Sequence, residues 1–265
     1  MSLEKECTNE LSSIKKIVAI MSGKGGVGKS SVTSLISVAF RNMGHEVGIL
    51  DADVTGPSIP KLFGINSKRA ASDGCGIYPI ETATGIKVAS LNLMIDDEDA
   101  PVIWRGPLIS NVVKQFYTDV VWGKLDYLFI DLPPGTGDVP LTIMQSLPLD
   151  GVIVVSSPQD LVQLIVKKSI NMTKMLEVPL LGIVENMSYL LCPHCGEKIY
   201  VFGKNSVEGI SKEMDIELLA KLPIDPELSA LCDEGRIEAY AKLSTNFPKE
   251  LAGLITDRLE AVNHI

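Results

Sequence analysis

The sequence predicts an α/β fold: a mostly parallel sheet with helices on both faces and a small β-hairpin insertion. Short runs that are apolar on both faces alternate with segments whose apolar residues recur at helical spacing. The first run ends in a glycine-rich turn that opens straight into a helix. The 265 residues, 46% hydrophobic and 22% charged, suffice for a buried core and fit one large domain.

The elements follow in order. Residues 1–15 read as a mobile polar tail and residues 16–265 as a single domain. KIVAIMSG (16–23) is β-branched, apolar and ended by glycine, which predicts a buried strand. SSVTSLISVAFRNMG (30–44) has helical spacing with Gly44 as its stop. HEVGILDAD (45–53) is a second buried strand. LDYLFIDLP (125–133), GVIVVSSP (151–158), LLGIVENM (180–187) and ELLAKLP (217–223) continue the strands, with helices over 107–120 and 160–176 between them. A closing helix is expected from Pro248 to Asn263. Segment 64–103 departs from this alternation and contains GIYPIETATGIKVAS, which we read as an inserted β-hairpin.

Charge and cysteine usage narrow the function. Lys and Arg number 24 against 33 Asp and Glu, a net charge of −9. A non-specific nucleic-acid binder or a polybasic membrane anchor needs the opposite sign. The polar start MSLEKECTNE does not read as a signal peptide. A cytoplasmic protein bound to neither nucleic acid nor membrane is the expectation. Five cysteines are too few for a disulfide scaffold, and two of them form CPHC, Cys192 to Cys195.

Gly23 to Ser30 read GKGGVGKS, which fits G-x-x-x-x-G-K-S/T between a strand and a helix and marks a P-loop NTPase domain. Gly23, Gly25, Gly26 and Gly28, with Val27 among them, let the backbone turn its N–H groups onto phosphate oxygens. Lys29 is expected on the β- and γ-phosphates, and the Ser30 hydroxyl on Mg²⁺. Ser31 stands one step further, near the α-phosphate. FIDLPPGTGD (129–138) puts Asp131 after an apolar strand, where a carboxylate holds the Mg²⁺ water shell. Gly135 and Gly137 give the following loop room to shift when the γ-phosphate leaves, and Asp138 suits a helix cap.

Lys24 sharpens the assignment. The loop K-G-G-x-G-K-S resembles the deviant phosphate loop of the MinD, nitrogenase-iron-protein and arsenical-pump class of ATPases. That resemblance implies that Lys24 crosses a dimer interface to the partner's nucleotide, acting like an arginine finger. In DADVTGPS it implies that Asp53 orients or activates the attacking water while Asp51 supports the metal; a cap for a helix over 57–63 is the other reading of Asp53. It also implies that Asn186, in VENMSY, bonds adenine, with Pro223 and Asp225 of LPIDPELS near the base. A strand-ending proline and a helix-capping aspartate explain those two almost as well.

CPHCG fits half of a zinc knuckle, with His194 as a conceivable third ligand; a redox pair is a further reading. Tetrahedral thiolate sites need four ligands, and two-fold symmetry doubles the two that Cys192 and Cys195 supply. Zn²⁺ or a 4Fe–4S cluster then fits. With GKGGVGKS, DADVTGPS, DLPPGTGD, VENMSY, WRGP and CPHCG together, the chain resembles the Mrp/ApbC family of ATP-binding iron–sulfur cluster carriers. The resemblance runs from Lys16 to the C-terminus and implies the compact form without an N-terminal four-cysteine cluster. It implies a homodimer with slow ATPase activity that carries a bridging 4Fe–4S cluster to apo iron–sulfur proteins, zinc being a possible replacement. The alternative is a MinD-type regulatory ATPase with a structural zinc at the dimer interface.

Overall fold

A computed structural model describes residues 5–54, 56–94, 106–158, 160–203, 207–242 and 247–262. In chain order the strands are β1 (Ser13–Ser22), β2 (Val47–Asp51), β3 (Ser72–Asp73), β4 (Gly76–Ile77), β5 (Ile80–Glu81), β6 (Lys87–Ser90), β7 (Lys124–Asp131), β8 (Gly151–Ser156), β9 (Leu180–Leu191), β10 (Lys198–Ile199) and β11 (Leu218–Ile224). The α-helices are α1 (Lys29–Asn42), α2 (Ile59–Leu62), α3 (Gly106–Thr118), α4 (Asp138–Ser146), α5 (Asp160–Met175), α6 (Glu208–Met214), α7 (Pro226–Asp233) and α8 (Phe247–Val262).

The main sheet runs β11-β9-β8-β1-β7-β2-β6-β5, with β10 antiparallel on the outer end of β9. All of its pairings except β10–β9 and β5–β6 are parallel. Successive β1 residues enter opposite layers. Ile17, Ala19 and Met21 pack with Val113 and Phe116 of α3, Ile143 of α4 and Ile170 of α5. Val18 and Ile20 pack with Leu35 and Phe40 of α1, Ile59 of α2 and Ile255 of α8. Period-two alternation on a doubly covered sheet gives this split. The chain leaves β1 toward β2 on one side and later returns to β8 on the other. The carboxyl end of β1 is therefore a topological switch point, where such sheets bind ligands.

The expected elements are present, with two differences. Residues 5–12, expected as a mobile tail, are tied to the body. The Glu6 N–H donates to the Ser146 carbonyl at 2.8 Å, and the Asn9 amide donates to the Thr118 and Val120 carbonyls at 2.9 and 2.8 Å. These donors satisfy carbonyls at and just past the C-terminal ends of α3 and α4. The segment 64–103 also contributes to the main sheet and is not purely an insertion. β3 and β4 form a two-residue hairpin and β5 pairs antiparallel with β6 within GIYPIETATGIKVAS, as expected of an inserted hairpin, but β6 also joins the main sheet parallel to β2. Val88 and Ala89 are buried, so β6 is a core strand. Residues 95–103 of that segment, and Trp104 and Arg105 of WRGP, lie outside the described residues.

Candidate nucleotide site and cysteine knuckle

The phosphate loop sits between β1 and α1. Gly26 and Gly28 have φ of 81° and 78°, left-handed values that glycine adopts without strain. Gly28 is the N-cap of α1. A Cβ on Gly28 would stand 2.3 Å from Asn186 Nδ2, whose amide donates to the Val27 carbonyl at 2.9 Å. Gly28→Ala is therefore expected to lose about 1–3 kcal/mol of stability from strain and collision, and to abolish nucleotide binding. Urea unfolding and ADP calorimetry check this.

Lys29 and Asp131 form a buried ion pair. The Nζ–Oδ2 distance is 2.8 Å, and the two side chains are 6% and 0% exposed. Asp131 also accepts the Ser30 hydroxyl at 2.6 Å and the Thr33 hydroxyl at 2.7 Å. Thr33 is a residue that the motif does not point to. Its signal is positional: Lys29 and Thr33 share a helix face one turn apart. The Ser30 hydroxyl and the Asp131 carboxylate are hard oxygen donors side by side, a pairing that fits Mg²⁺ held with nucleotide phosphates.

A cavity of about 290 Å³ opens over the loop. Lys24, Gly25, Gly26, Val27, Gly28, Lys29, Ser30 and Ser31 line it, with Asp53, Gly56, Ser58 and Pro134 across from them. Gly23 follows the end of β1, between Ser22 and Lys24 of this lining. Pro134 comes from the expected mobile loop, which the Gly135 N–H ties to the Ser22 carbonyl at 2.8 Å. Asp53 faces the phosphate cavity and caps no helix, because the N-cap of α2 is Ser58. Asp138 is also not a cap. It is the first residue of α4, where its charge favours the positive helix end.

Asp51 is buried behind this cavity. Burial, and then the nearby Asp131 carboxylate, push its pKa up to about 8. The Ser90 hydroxyl donates to it at 3.1 Å and the Asp53 N–H at 3.2 Å. The folded chain holds a proton on Asp51 that the unfolded chain releases near its ordinary value of 3.8. Stability from this group is thus complete below that value and is lost as pH rises toward 8. Asp51→Asn is expected to flatten the fall in nucleotide-free stability between pH 5 and 8, read by urea unfolding.

A second cavity, about 320 Å³, meets the first at Gly28 and Ser31. Asn186, Met187, Phe202, Pro223, Asp225 and Cys232 are among its walls. Asn186, Pro223 and Asp225 thus line one space. Asp225 also caps α7, accepting the Glu227 and Leu228 N–H groups, and takes the Tyr240 hydroxyl at 2.7 Å. Phe202, Met187 and Cys232 are additions that no motif announced. Cys232 is hydrogen-bonded to Ser31, and burial raises its thiol pKa.

β9 bulges beside Asn186. Glu185 pairs with Lys221 and Tyr189 with Pro223, so four steps on β9 face two on β11. Met187 takes a left-handed φ of 58° within this bulge. The Glu185 carboxylate braces it, accepting the Ser188 hydroxyl at 2.8 Å and the Val207 N–H at 2.6 Å.

The outer end of β9 leads into the cysteine turn. The Cys192 N–H donates to the Glu197 carbonyl and the Gly196 N–H to the Cys192 carbonyl, both at 2.9 Å. Gly196 closes the turn at φ 72°. The Cys192 sulfur accepts the backbone N–H groups of Cys195 and His194 and is hydrogen-bonded to the Cys195 side chain. These contacts hold its pKa below the usual thiol value. Among the described residues no three His, Cys, Asp or Glu side chains assemble a metal group, so His194 does not join the two cysteines.

A model of the ParA family, described as NUBPL iron-transfer P-loop NTPase, matches residues 13–257. The chain belongs to this family. An iron-sulfur cluster carrier protein of Methanocaldococcus jannaschii is 46% identical over 253 residues, covering 94% of this chain and 87% of the relative. One from Clostridium perfringens is 46% identical over 234 residues, covering 86% and 82%. A solved nucleotide-binding protein of Archaeoglobus fulgidus, in complex with ADP and with Co, is 45% identical. It has a TM-score of 0.76 and covers 86% of this chain and 89% of its own. The MinD cell division ATPase of Pyrococcus furiosus, at 20% identity and TM-score 0.65 over 93% of this chain and 99% of its own, shows the shared fold alone. This NUBPL-type P-loop NTPase has no helix, among the described residues, long and apolar enough to cross a membrane.

Proposed function

We propose that this chain is an ATP-dependent iron–sulfur cluster carrier. It binds ATP with Mg²⁺ over residues 23–31, hydrolyses it slowly, and holds a 4Fe–4S cluster between the knuckles of two subunits. The observation that carries this reading is the knuckle itself. Two backbone N–H groups already stabilise thiolate at Cys192, yet the turn offers two cysteines where a cluster takes four. Leu191, Ile199 and Val201 stand about half exposed beside it, at 48%, 47% and 53%, an apolar rim suited to a second copy.

The ATPase roles we assign are compatible with this geometry. Lys29 leaves Asp131 for the β- and γ-phosphates, freeing that carboxylate and the Ser30 hydroxyl to hold the metal. Mg²⁺ there neutralises charge on the phosphate oxygens. Asp53 positions the attacking water, and Lys24 reaches the nucleotide of the partner subunit. Asn186, Pro223 and Asp225 surround the base. All five cysteines are free thiols, which suits the reducing cytoplasm in which we place the carrier.

Apo iron–sulfur proteins are the acceptors. Incubating anaerobically reconstituted protein with an apo 4Fe–4S enzyme tests the reading. Recovery of that enzyme's activity, with loss of iron from the donor, is expected. Protein that retains only zinc at Cys192 and Cys195 and activates no acceptor contradicts it.

A further inference from the structure

The knuckle is the tip of a hairpin whose two feet stand in the same cavity. One foot is the β9 bulge, where Asn186 bonds the Val27 carbonyl and Met187 lines the cavity beside Gly28. From Met187 to Cys192 the chain is five residues of extended strand, roughly 16 Å. The other foot is the turn after β10, closed by the Gly203 N–H on the Tyr200 carbonyl at 3.2 Å. That turn places Phe202 in the cavity wall together with Pro223 and Leu228 of β11 and α7, although Phe202 is still 40% exposed. Among the described residues no aromatic ring pairs with Phe202, and a nucleobase in this cavity would supply a flat partner for it.

Building on the nucleotide-binding and cluster-carrying reading above, we propose that Phe202 covers the base of bound nucleotide. Base occupancy thereby reaches Cys192 and Cys195 through this hairpin within one subunit. The rest of the path is short. β10 pairs Lys198 with Leu191 and Ile199 with Leu190, so movement of the Phe202 turn is carried to the strand entering the knuckle. Lys198 also sits 4.3 Å over the Tyr189 ring, tying the two strands together by side chains. Coupling of this kind is reciprocal: whatever the base does to the thiols, a metal on the thiols does to the nucleotide.

The test uses the full chain with ADP and with tripolyphosphate, which fills the phosphate cavity but has no base. Stacking of a base on an aromatic side chain predicts that Phe202→Ala weakens ADP binding about 5- to 100-fold. Tripolyphosphate binding should stay within twofold, and Phe202→Tyr, which keeps the ring, should restore ADP binding. Alkylation is then followed at each cysteine by mass spectrometry at saturating ADP. In the native chain ADP should change the Cys192 rate several-fold and protect Cys232, which lines the base cavity. In Phe202→Ala the Cys232 protection should remain and the Cys192 response should vanish.

ADP affinity unchanged by Phe202→Ala, an equal loss for tripolyphosphate, or a Cys192 response that survives the substitution would each overturn the proposal. A native chain that binds ADP without any Cys192 response overturns it as well. None of these results touches cluster binding itself, so the carrier reading stands or falls separately.

Discussion

Replacing Lys24 by alanine is expected to cut ATP hydrolysis about a thousandfold while ATP binding stays within a few-fold of the native chain. The expectation rests on where Lys24 stands. It lines the phosphate cavity at the start of the loop, while Lys29, at its end, already pairs with Asp131 in the same subunit. A cation supplied from the partner stabilises charge that develops only as the phosphoryl group transfers, so its loss falls on turnover rather than on binding. Mixing Lys24→Ala with Asp53→Ala separates this from a local role. A mixed dimer has one site with its own Asp53 and the partner's Lys24. Recovery to about a quarter of native activity is expected from random pairing. A mixture no more active than its components would show that Lys24 acts within its own chain.

The second large effect concerns the knuckle. Cys192→Ala with Cys195→Ala removes every thiolate that the two turns contribute. Cluster binding is expected to disappear, with the broad absorption near 400 nm lost after anaerobic reconstitution. ADP affinity of the metal-free protein should remain within about twofold, because neither cysteine lines a nucleotide cavity. The two measurements together tell a lost ligand from a lost fold. Persistence of iron, sulfide and absorption in the double variant would move the cluster to other residues.

Much of this site was legible in the residues because phosphate binding is done by backbone and by a fixed short motif. Gly26, Gly28, Lys29 and Ser30 take the places that their spacing demands, and Asp131 follows from an apolar strand ending in a carboxylate. Local chemistry also announced the knuckle, since CPHCG contains both sulfurs and the glycine that closes the turn at positive φ. Thr33 and Phe202 were hidden for a different reason. Each works through a partner far away in sequence, Thr33 on Asp131 and Phe202 on a cavity built from β9, β11 and α7. Asp225 shows the remaining ambiguity: it caps α7 and walls the second cavity at once. The role of β6 was obscured because the two residues of β5 and the four of β6 are the described residues of segment 64–103 that join the main sheet, runs too short for a clear period-two pattern. Residues 5–12 were misjudged because their anchoring is by hydrogen bonds to carbonyls, which leave no hydrophobic signature.

The sharing of one cluster by two copies is measured most directly by native mass spectrometry of the anaerobically reconstituted protein, with iron and sulfide counted on the same sample. A dimer carrying a single 4Fe–4S cluster, about two irons for each subunit, is the predicted result. A monomer that retains a whole cluster through its own two thiolates would contradict the account.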